Sequence, residues 1–560
     1  MKITVNDTLL ELHYGARVKD AVQRYYVQSG RRIPKRLPPV EDRFGNSVAP
    51  DGELTDGNVL FISTRRRKKA TPLILILAVL SAGALSACGS LKHAETGMPP
   101  AREAVIFAVN DMHAAIDNFP KLAYIVDSLK ALYPDMLLVS AGDNQTGNPV
   151  NDQYPEKGLP MIELMNATGF DLSAVGNHEF DTGPEGFSAL TGKAKFSFIC
   201  ANLLTDKRFD FNIQPYKIIT LPNGLRLAFF GLLQVSQSGI PDTHPDNARD
   251  FTFLSPFETA REYLWLKDSS DIFIALTHLG FEDDVKLAET LPAGLDLIIG
   301  GHSHTRVEKE QVHNGILITQ AENKLKYGTL IRLAVSSDGT VQKSMQLIDI
   351  RNSKNEKPAI RAVVDKYNDN PVLNQVIATA TDDFSSSEEL GYLMADAQRA
   401  AAGADIALMN PGGVRIDRLS KGPVTIKNVY ELDPFGNELV VTKLTGEEVL
   451  SLLKAAWLVD DKSPVYPSGI IIKVKVNKDR DLKELTVMTE NGEPLDKNRV
   501  YSVAMNSYMT QVYDYQHSDP GQSLFFTTAQ ALINFLKEQK EITSYRDEKR
   551  IIVETLTQEL

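Results

Sequence analysis

Cysteine is nearly missing from this sequence, because only Cys88 and Cys200 occur among its 560 residues. So few thiols exclude an intrachain disulfide framework. A surplus of positive charge is also lacking: residues 1–69 carry a formal charge of +6, and the rest of the chain carries −18. That balance argues against nucleic acid as a partner of the main body. We find no internal repeat, but the length predicts several hydrophobic cores, since single cores stop growing at roughly 250–300 residues.

One long segment contains no charged residue. It covers 22 residues, 70–91, and follows the basic cluster Arg65–Lys69. This length can span a bilayer, and the basic flank would stay inside. The end of the segment, Leu85-Ser86-Ala87-Cys88-Gly89, resembles the bacterial lipobox, in which the cysteine is lipidated. An uncleaved signal anchor is the alternative, since 87 residues far exceed an ordinary signal peptide. We therefore predict a bacterial envelope protein that is anchored by residues 64–92, with everything beyond them outside the cytoplasmic membrane.

Residues 1–63 have the pattern of a small domain. Apolar alternation predicts a hairpin over Lys2–Val5 and Leu9–His13, a helix over Val18–Gln28 and a closing strand over Asn58–Ser63. This order resembles the α+β fold of β-grasp proteins, which include ubiquitin-like proteins and sulfur carriers. Sulfur carriers end in a free Gly-Gly, which is missing here. We therefore expect a cytoplasmic interaction module whose partner the sequence does not identify.

Beyond residue 103, apolar runs alternate with helical stretches, which is typical of α/β proteins. Five of these runs end in polar residues. Buried strands of open α/β sheets bind ligands at their carboxyl ends, so these residues predict a site at one sheet edge. The five segments are Asn110-Asp111-Met112-His113, Gly142-Asp143-Asn144, Gly176-Asn177-His178-Glu179-Phe180-Asp181, Thr277-His278 and Gly300-Gly301-His302-Ser303-His304.

The residue types in this set favour metal-assisted hydrolysis. Mixed Asp, Asn and His ligands select zinc, manganese, cobalt or iron rather than calcium, and the lack of cysteine argues against a structural zinc site. Two such ions about 3.5–4 Å apart polarise a phosphoryl group and lower the pKa of a bound water. His178 lies beside Asn177, and Asp181 could orient its ring for proton donation. The sequence therefore predicts phosphoester hydrolysis.

Taken together, the five segments resemble the binuclear metallophosphoesterases, specifically the 5'-nucleotidase and UDP-sugar hydrolase family, over residues 103 to about 555. The resemblance implies a four-layered αββα sandwich over residues 93–350 and an α/β substrate-binding domain over 382–556. The pattern of the linker between them, 351–381, predicts a helical connector over Lys357–Ala380. It also implies that His178 and Asp181 are the catalytic pair. One metal ion would bind Asp111, His113, Asp143 and His304, and the other would bind Asp143, Asn177, His278 and His302.

The second domain matches the family less evenly. The resemblance implies that seven of its residues bind substrate: Asn410, Gly413, Arg415, Phe435, Asn437, Tyr508 and Asp514. Three departures modify this pocket. Pro411 replaces a glycine, Val512-Tyr513 stand where the family has Gly-Gly and should crowd the backbone there, and Ser386 stands where the family has a phosphate-binding arginine.

We therefore predict a metal-dependent 5'-nucleotidase. The altered loops leave open a UDP-sugar, a 2',3'-cyclic nucleotide or another small phosphoester as the substrate. A surface binding protein that keeps the catalytic domain only as a scaffold is the third hypothesis.

Overall fold

A computed structural model describes residues 1–31, 33–34, 36–63, 102–205, 208–236, 239–292, 294–369, 371–459 and 463–556. The predicted membrane segment and Cys88 lie outside these residues. Within them, no helix is both long and apolar enough to cross a bilayer. The described chain forms an N-terminal domain, a sandwich and a C-terminal domain, each of which has its own hydrophobic clusters.

The N-terminal domain has one helix packed on a mixed sheet. Its central strands β1 and β5 are parallel, and β2 and β3 flank them in antiparallel pairing. Ile3, Val5, Ala21 and Leu60 belong to its separate core. The elements are β1 Lys2–Val5, β2 Thr8–Glu11, α1 Val18–Gln28, β3 Val40–Asp42, β4 Ser47–Val48 and β5 Val59–Ile62.

The sandwich consists of two sheets with helices outside. The elements are β6 Arg102–Val109, α2 Phe119–Leu132, β7 Leu137–Ser140, α3 Pro149–Asp152, α4 Leu159–Thr168, β8 Leu172–Ala174, α5 Gly183–Lys193, β9 Ser197–Ile199, β10 Leu203–Thr205, β11 Ile213–Gln214, β12 Tyr216–Thr220, β13 Arg226–Leu233, α6 Pro245–Ala248, β14 Phe251–Phe253, α7 Pro256–Glu262, β15 Ile272–His278, α8 Phe281–Thr290, β16 Leu297–Ile299, β17 Thr305–Arg306, β18 Gln311–His313, β19 Ile316–Thr319, β20 Tyr327–Val335 and β21 Val341–Asp349.

Strand order explains the four layers. One sheet runs β11-β9-β8-β7-β6-β20-β21, and the other runs β12-β13-β15-β16-β19-β18. Alternate side chains such as Ile106, Val139, Phe229 and Ile274 fill the space between the sheets. The opposite faces of the sheets are covered by helices. Because both faces are buried, the strands are almost continuously apolar, and the predicted αββα sandwich is confirmed.

The connector is partly different from the prediction. Helix α9 covers only Pro358–Asn368 and packs on the sandwich through Val364 and Tyr367. The helix expected over residues 357–380 is therefore too long, because Val376–Ala380 form strand β22 of the C-terminal domain. Pro371 cannot continue an α-helix, and the β-branched residues after it suit a strand.

The C-terminal domain packs helices on both sides of a five-stranded sheet with the order β26-β23-β29-β25-β30. After β22, its elements are α10 Ser387–Ala402, β23 Ile406–Met409, β24 Gly422–Thr425, α11 Ile426–Leu432, β25 Glu438–Thr445, α12 Gly446–Val459, β26 Tyr466–Ser468, β27 Ile470–Val476, β28 Leu482–Thr489, β29 Val500–Asn506, α13 Ser507–Val512, β30 Gln522–Thr527, α14 Thr528–Gln539, β31 Glu541–Ile542 and β32 Ile551–Thr555.

Candidate metal centre and active site

The five predicted strand ends meet at one edge of the sandwich, but they come from two sheets. Strands β6, β7 and β8 belong to the first sheet, and β15 and β16 belong to the second. The site therefore lies across the seam between the sheets rather than at the edge of one open sheet. All seven predicted ligands are buried there: Asp111, His113, Asp143, Asn177, His278, His302 and His304.

Backbone conformation, not strand alternation, aims most of these side chains. Asp111 and His113 have φ values of 48° and 44°, and Asp143 has 51°. His302 and His304 have 80° and 53°. Left-handed conformations are uncommon outside glycine and cluster at functional sites. Residues two apart on a strand share one face, but Asp111 and His113 lie beyond the end of β6 at Val109 and are turned into the site by their backbone conformation.

The first group of candidate ligands is Asp111, His113 and His304. The Nε2 atoms of His113 and His304 lie 2.9 Å apart, and Asp111 Oδ1 lies 3.5 Å from His304 Nε2. His113 Nδ1 is 3.1 Å from the Thr146 carbonyl oxygen. A ring that donates through Nδ1 presents Nε2 as a lone-pair donor, the usual arrangement of a metal-binding histidine.

The second group surrounds Asn177. Its Oδ1 atom lies 3.2 Å from His278 Nε2 and 3.0 Å from His302 Nδ1. His278 Nδ1 is 2.7 Å from the Ala141 carbonyl oxygen, which again leaves Nε2 facing the site. Asp143 lies between the two groups, with Oδ2 3.1 Å from His278 Nε2 and 3.9 Å from His113 Nε2.

This donor set fits divalent cations. Among the described residues, Asp143 Oδ2 and His302 Nε2 are buried without a hydrogen-bond partner in suitable geometry. Burial raises the pKa of Asp143, but His278 and His178 lower it well below its usual value. Buried, ionised carboxylates are costly unless positive charge compensates them. Metal ions would supply that charge, and the groups Asp111–His113–His304 and Asp111–Asp143–His278 each place three ligand atoms within 4.8 Å of one another.

His178 lies beside the metal ligands and is held by a carboxylate. Its Nδ1 atom is 2.6 Å from Asp181 Oδ2, which also accepts a hydrogen bond from Thr146 Oγ1 at 2.8 Å. Burial lowers the pKa of His178, but Asp181 and Asp143 raise it well above its usual value. These carboxylates therefore favour the protonated imidazole, whose Nε2 atom lies on the side of the ring away from Asp181.

Glu179 joins the loops that carry the ligands. Its buried carboxylate accepts hydrogen bonds from the backbone N–H groups of Asp143, Asn144 and Gly176 at 3.0, 2.8 and 2.7 Å. It also accepts one from Asn144 Nδ2 at 3.0 Å. This residue holds the ends of β7 and β8 together. Its place inside the motif was visible in the sequence, but this bridging role was not.

Three further carboxylates reach the centre without a signal in the sequence. Asp242, in the loop after β13, places Oδ2 3.9 Å from His302 Nε2. Glu53 and Asp51 come from the N-terminal domain and contact His178 and His304. Nothing in the sequence near residue 50 distinguishes these two residues from ordinary turn residues.

The predicted substrate residues take part in several separate contacts. Asn410 is buried and accepts a hydrogen bond from Asn506 Nδ2 at 2.8 Å. The Arg415 guanidinium lies 5.4 Å from the ring centroid of Phe435, and both residues are exposed. Gly413 is buried beside Asn410, and the Asn437 carbonyl accepts a hydrogen bond from the Thr528 backbone N–H at 2.9 Å.

The remaining two substrate candidates have other contacts. The Tyr508 ring packs against the core between the sheet and α12. Asp514 pairs with Arg24 of the N-terminal domain at 3.2 Å. Tyr508 thus contributes to packing within the C-terminal domain, and Asp514 contributes to a contact with the N-terminal domain.

The departures from the family pattern are structurally accommodated. Tyr513 has φ −84° and ψ 114°, an ordinary extended conformation, and its side chain is buried. The crowding expected at Val512-Tyr513 is therefore wrong, because this backbone does not need glycine. Ser386 begins α10 and accepts a hydrogen bond from the Glu389 N–H at 3.3 Å. It stabilises the helix where the family has an arginine.

Comparison with known proteins agrees with this architecture. Residues 104–306 match the family model of calcineurin-like phosphoesterases, and residues 371–515 match that of the 5'-nucleotidase C-terminal domain. The chain is thus a calcineurin-like metallophosphoesterase by fold and site. More particularly, with both domains in this order, it belongs to the 5'-nucleotidase family, which confirms the resemblance seen in the sequence.

Individual relatives differ in length. Endonuclease YhcR of Bacillus subtilis is 29% identical over 72% of this chain, but the chain spans only 37% of that relative. A 5'-nucleotidase of Vibrio parahaemolyticus is 26% identical over 84% of this chain and 96% of its own length. The crystal structure of a 5'-nucleotidase precursor from Thermus thermophilus is 25% identical, with a TM-score of 0.52, and covers 82% of this chain and 100% of its own.

Proposed function

We propose that this chain is a metal-dependent hydrolase that releases phosphate from nucleoside 5'-monophosphates. The observation that carries the proposal is the convergence of seven buried ligand side chains beside the His178–Asp181 pair. The C-terminal domain match and the Vibrio parahaemolyticus relative favour a nucleotide as the substrate.

Two cations would bind at this centre. Asp111, His113 and His304 would hold one and Asn177, His278 and His302 the other, while Asp143 would contact both. The donor set suits zinc, manganese, cobalt or iron. When bound, such ions polarise the phosphoryl group and activate the attacking water.

The chain's own residues would handle the leaving group. Asp181 and Asp143 raise the pKa of His178, so the protonated ring would stabilise negative charge and donate the proton on Nε2 to the departing alkoxide. Asp181 would keep the ring oriented. Glu179 would hold the ligand loops, since it accepts hydrogen bonds from three of their N–H groups.

The C-terminal domain would hold the nucleoside. Phe435 is an exposed ring on which a base could stack, and the neighbouring Arg415 offers donors to the phosphate. Asn410, Gly413, Asn437, Tyr508 and Asp514 would complete the pocket. Because Ser386 stands where the family has a phosphate-binding arginine, the chain lacks that phosphate contact. UDP-sugars, 2',3'-cyclic nucleotides and other small phosphoesters therefore stay candidate substrates.

A phosphate-release assay tests this function. A shortened chain of residues 93–560 would be incubated with manganese, cobalt or zinc and with AMP, a UDP-sugar or a 2',3'-cyclic nucleotide. We expect release from AMP that is lost with EDTA and in Asp143→Ala but kept in Asp338→Ala, which removes an exposed carboxylate. If no substrate is hydrolysed with any of these metals, the catalytic function is wrong and a binding role takes its place.

We further propose that the enzyme acts in the cell envelope. The proposal is supported by the uncharged segment 70–91 and the lipobox-like Leu85–Gly89, which lie outside the described residues. Mass spectrometry of the mature protein provides the test. A lipid on an N-terminal Cys88 would support lipoprotein anchoring, and an intact Met1 in the membrane fraction would support a signal anchor.

A further inference from the structure

A loop of the N-terminal domain enters the active site. Glu53 is only 8% exposed, and its Oε1 atom lies 3.2 Å from His178 Nε2. Its Oε2 atom accepts a hydrogen bond from Asn177 Nδ2 at 3.2 Å and lies 3.2 Å from His302 Nδ1. The Glu53 carboxylate is thus within hydrogen-bond distance of His178 Nε2, the ring nitrogen that would otherwise face the substrate.

Asp51 reaches the other side of the same centre. Its Oδ1 atom is 3.4 Å from His304 Nδ1 and accepts a hydrogen bond from Asn323 Nδ2 at 2.9 Å. Its Oδ2 atom accepts one from Lys324 Nζ at 2.8 Å. The Pro50–Glu53 loop therefore places two carboxylates, two residues apart, against both groups of candidate metal ligands.

Backbone contacts fix this loop on both sides. Strand β4 pairs in antiparallel register with β17, which directly follows His304, so that Val48 opposes Thr305 and Ser47 opposes Arg306. This is strand addition to an exposed edge, a common mode of protein recognition. Within the N-terminal domain, the Val18 N–H donates to the Gly52 carbonyl at 3.0 Å, and the Lys19 N–H donates to the Pro50 carbonyl at 2.7 Å.

The loop requires a glycine at its tip. A Cβ atom on Gly52 would clash with the carbonyl oxygen of Ser303, in the turn between His302 and His304. The two backbones therefore approach each other more closely than any side chain at this position would permit. Such an approach indicates a fitted contact rather than a loop lying loosely over the opening.

The same domain also covers the predicted substrate-binding segment. Arg17 lies 2.6 Å from Glu438 and 3.9 Å from Glu53, so one guanidinium connects the loop to the C-terminal domain. Gln511 Nε2 lies 2.5 Å from His13 Nδ1, and Arg24 pairs with Asp514. The N-terminal domain thus contacts the metal centre and the 511–514 segment at once.

Charge explains why an acidic residue suits this position. Glu53 joins Asp111, Asp143 and Asp242 in one buried site, and burying like charges together is unfavourable without cations. Bound metal ions would supply this positive charge. Such ions bind a carboxylate oxygen in the same way as they bind a phosphate oxygen. Glu53 is therefore chemically matched to the substrate of the proposed reaction.

We propose that residues 1–63 are a built-in competitive inhibitor, in which Glu53 takes the place of the substrate phosphate at the metal centre. The identity of the displaced substrate rests on the proposed function, whereas the contact between Glu53 and His178 is independent of it. Turnover requires the Pro50–Glu53 loop to leave the site. A membrane crossing at residues 70–91 would put the two domains on opposite sides, so the inhibited form is the one in which both lie on the same side.

The first test measures phosphate binding rather than turnover. Manganese-loaded full-length protein would be titrated with inorganic phosphate by calorimetry. We expect Glu53→Ala to lower the dissociation constant at least tenfold relative to the unaltered chain, and the matched control Glu11→Ala, at an exposed glutamate of the same domain, to leave it unchanged. Equal affinities, or no binding to any form, would overturn the proposal.

A reversible cross-link provides the second test and does not depend on removing Glu53. Ser47→Cys and Arg306→Cys would be combined in a full-length chain with Cys88→Ser, because opposed residues of paired strands are close enough for a disulfide. We expect oxidation to form a disulfide between the domains, which a shift in electrophoretic mobility would show. The disulfide should weaken phosphate binding at least tenfold, and reduction with dithiothreitol should restore the binding. A disulfide that fails to form, or forms without this effect, would contradict the inference.

Steady-state kinetics separates the inhibitor from its substrate assignment. With AMP, Glu53→Ala should lower KM at least tenfold and leave kcat nearly unchanged, as release of a competitive inhibitor requires. A general structural defect would lower kcat instead. If residues 93–560 hydrolyse no nucleotide while phosphate affinity still depends on Glu53, the nucleotide assignment fails and the inhibitory contact stands.

Discussion

The metal centre and the candidate substrate pocket show opposite degrees of organisation. Seven ligands from five strand ends meet in one buried cluster. The substrate candidates instead have separate contacts: Asn410 bonds to Asn506, Arg415 and Phe435 form an exposed pair, Tyr508 packs on the core of its own domain, and Asp514 pairs with Arg24 of the N-terminal domain. A metal centre tolerates little displacement of its ligands, so its geometry is built into the fold. A pocket for a variable leaving group can be assembled from separate loops.

Removing His178 tests the metal centre where the largest effect is expected. His178→Ala should lower kcat for AMP by about 10²–10⁴-fold, the usual range for a general acid, while both metals remain bound. Asn177→Ala should instead reduce metal content, which elemental analysis of the two variants would measure. Loss of metal in His178→Ala would show that the neighbouring residues act as one ligand set.

Glu179→Gln tests whether the metal centre depends on the hydrogen bonds between its loops. Three backbone N–H groups bond to the two carboxylate oxygens of Glu179. A glutamine side chain has only one acceptor oxygen, so buried donors would be left unpaired. We expect about 3 kcal/mol lower free energy of unfolding and roughly 10–100-fold weaker metal binding. Urea denaturation and metal titration would measure these losses. A variant as stable as the unaltered chain would show that the loops are held by other contacts.

Phe435→Ala tests the less organised pocket. Stacking on an aromatic ring contributes about 1–3 kcal/mol per base, so KM for AMP should rise by roughly tenfold while metal content stays constant. Phe435→Tyr should restore the affinity, because it keeps the ring. An unchanged KM in Phe435→Ala would mean that the base binds elsewhere and that the family pattern does not extend to this loop.

Ser386→Ala should have the smallest effect. Loss of the N-cap should lower the free energy of unfolding by about 1 kcal/mol and leave KM for AMP unchanged, as thermal denaturation and kinetics would show. A raised KM would indicate that Ser386 contacts the substrate. That result would bring the position back into the pocket despite its missing arginine.

The sequence predicted the sandwich and its ligand set well because both depend on local patterns. Buried strands are recognisable as apolar runs, and each ligand directly follows one, as Asp143 follows β7 and His302 follows β16. The left-handed conformations that aim Asp111 and His304 were not predictable, because they arise when loops of two sheets are packed together. The strand at Val376–Ala380 was missed since a mixed apolar pattern fits either element.

Contacts between domains could not be predicted from the sequence. The position of Glu53 beside His178 depends on residues more than a hundred positions apart in sequence, and the motif around either residue contains no trace of the other. Asp242 escaped for a similar reason, because it follows no apolar run directly. Long-range placement of single carboxylates requires the fold.

The pairing of β4 with β17 has a consequence for how this enzyme would be switched on. The 38 residues between Ser63 and Arg102 tie inhibitor and enzyme together, and short tethers give effective concentrations on the order of millimolar. A micromolar nucleotide would compete poorly against such a neighbour. Cleavage of one peptide bond within the tether would lower the local concentration of the N-terminal domain to its dilute value in solution. The protein would then behave as a zymogen whose propeptide leaves by diffusion.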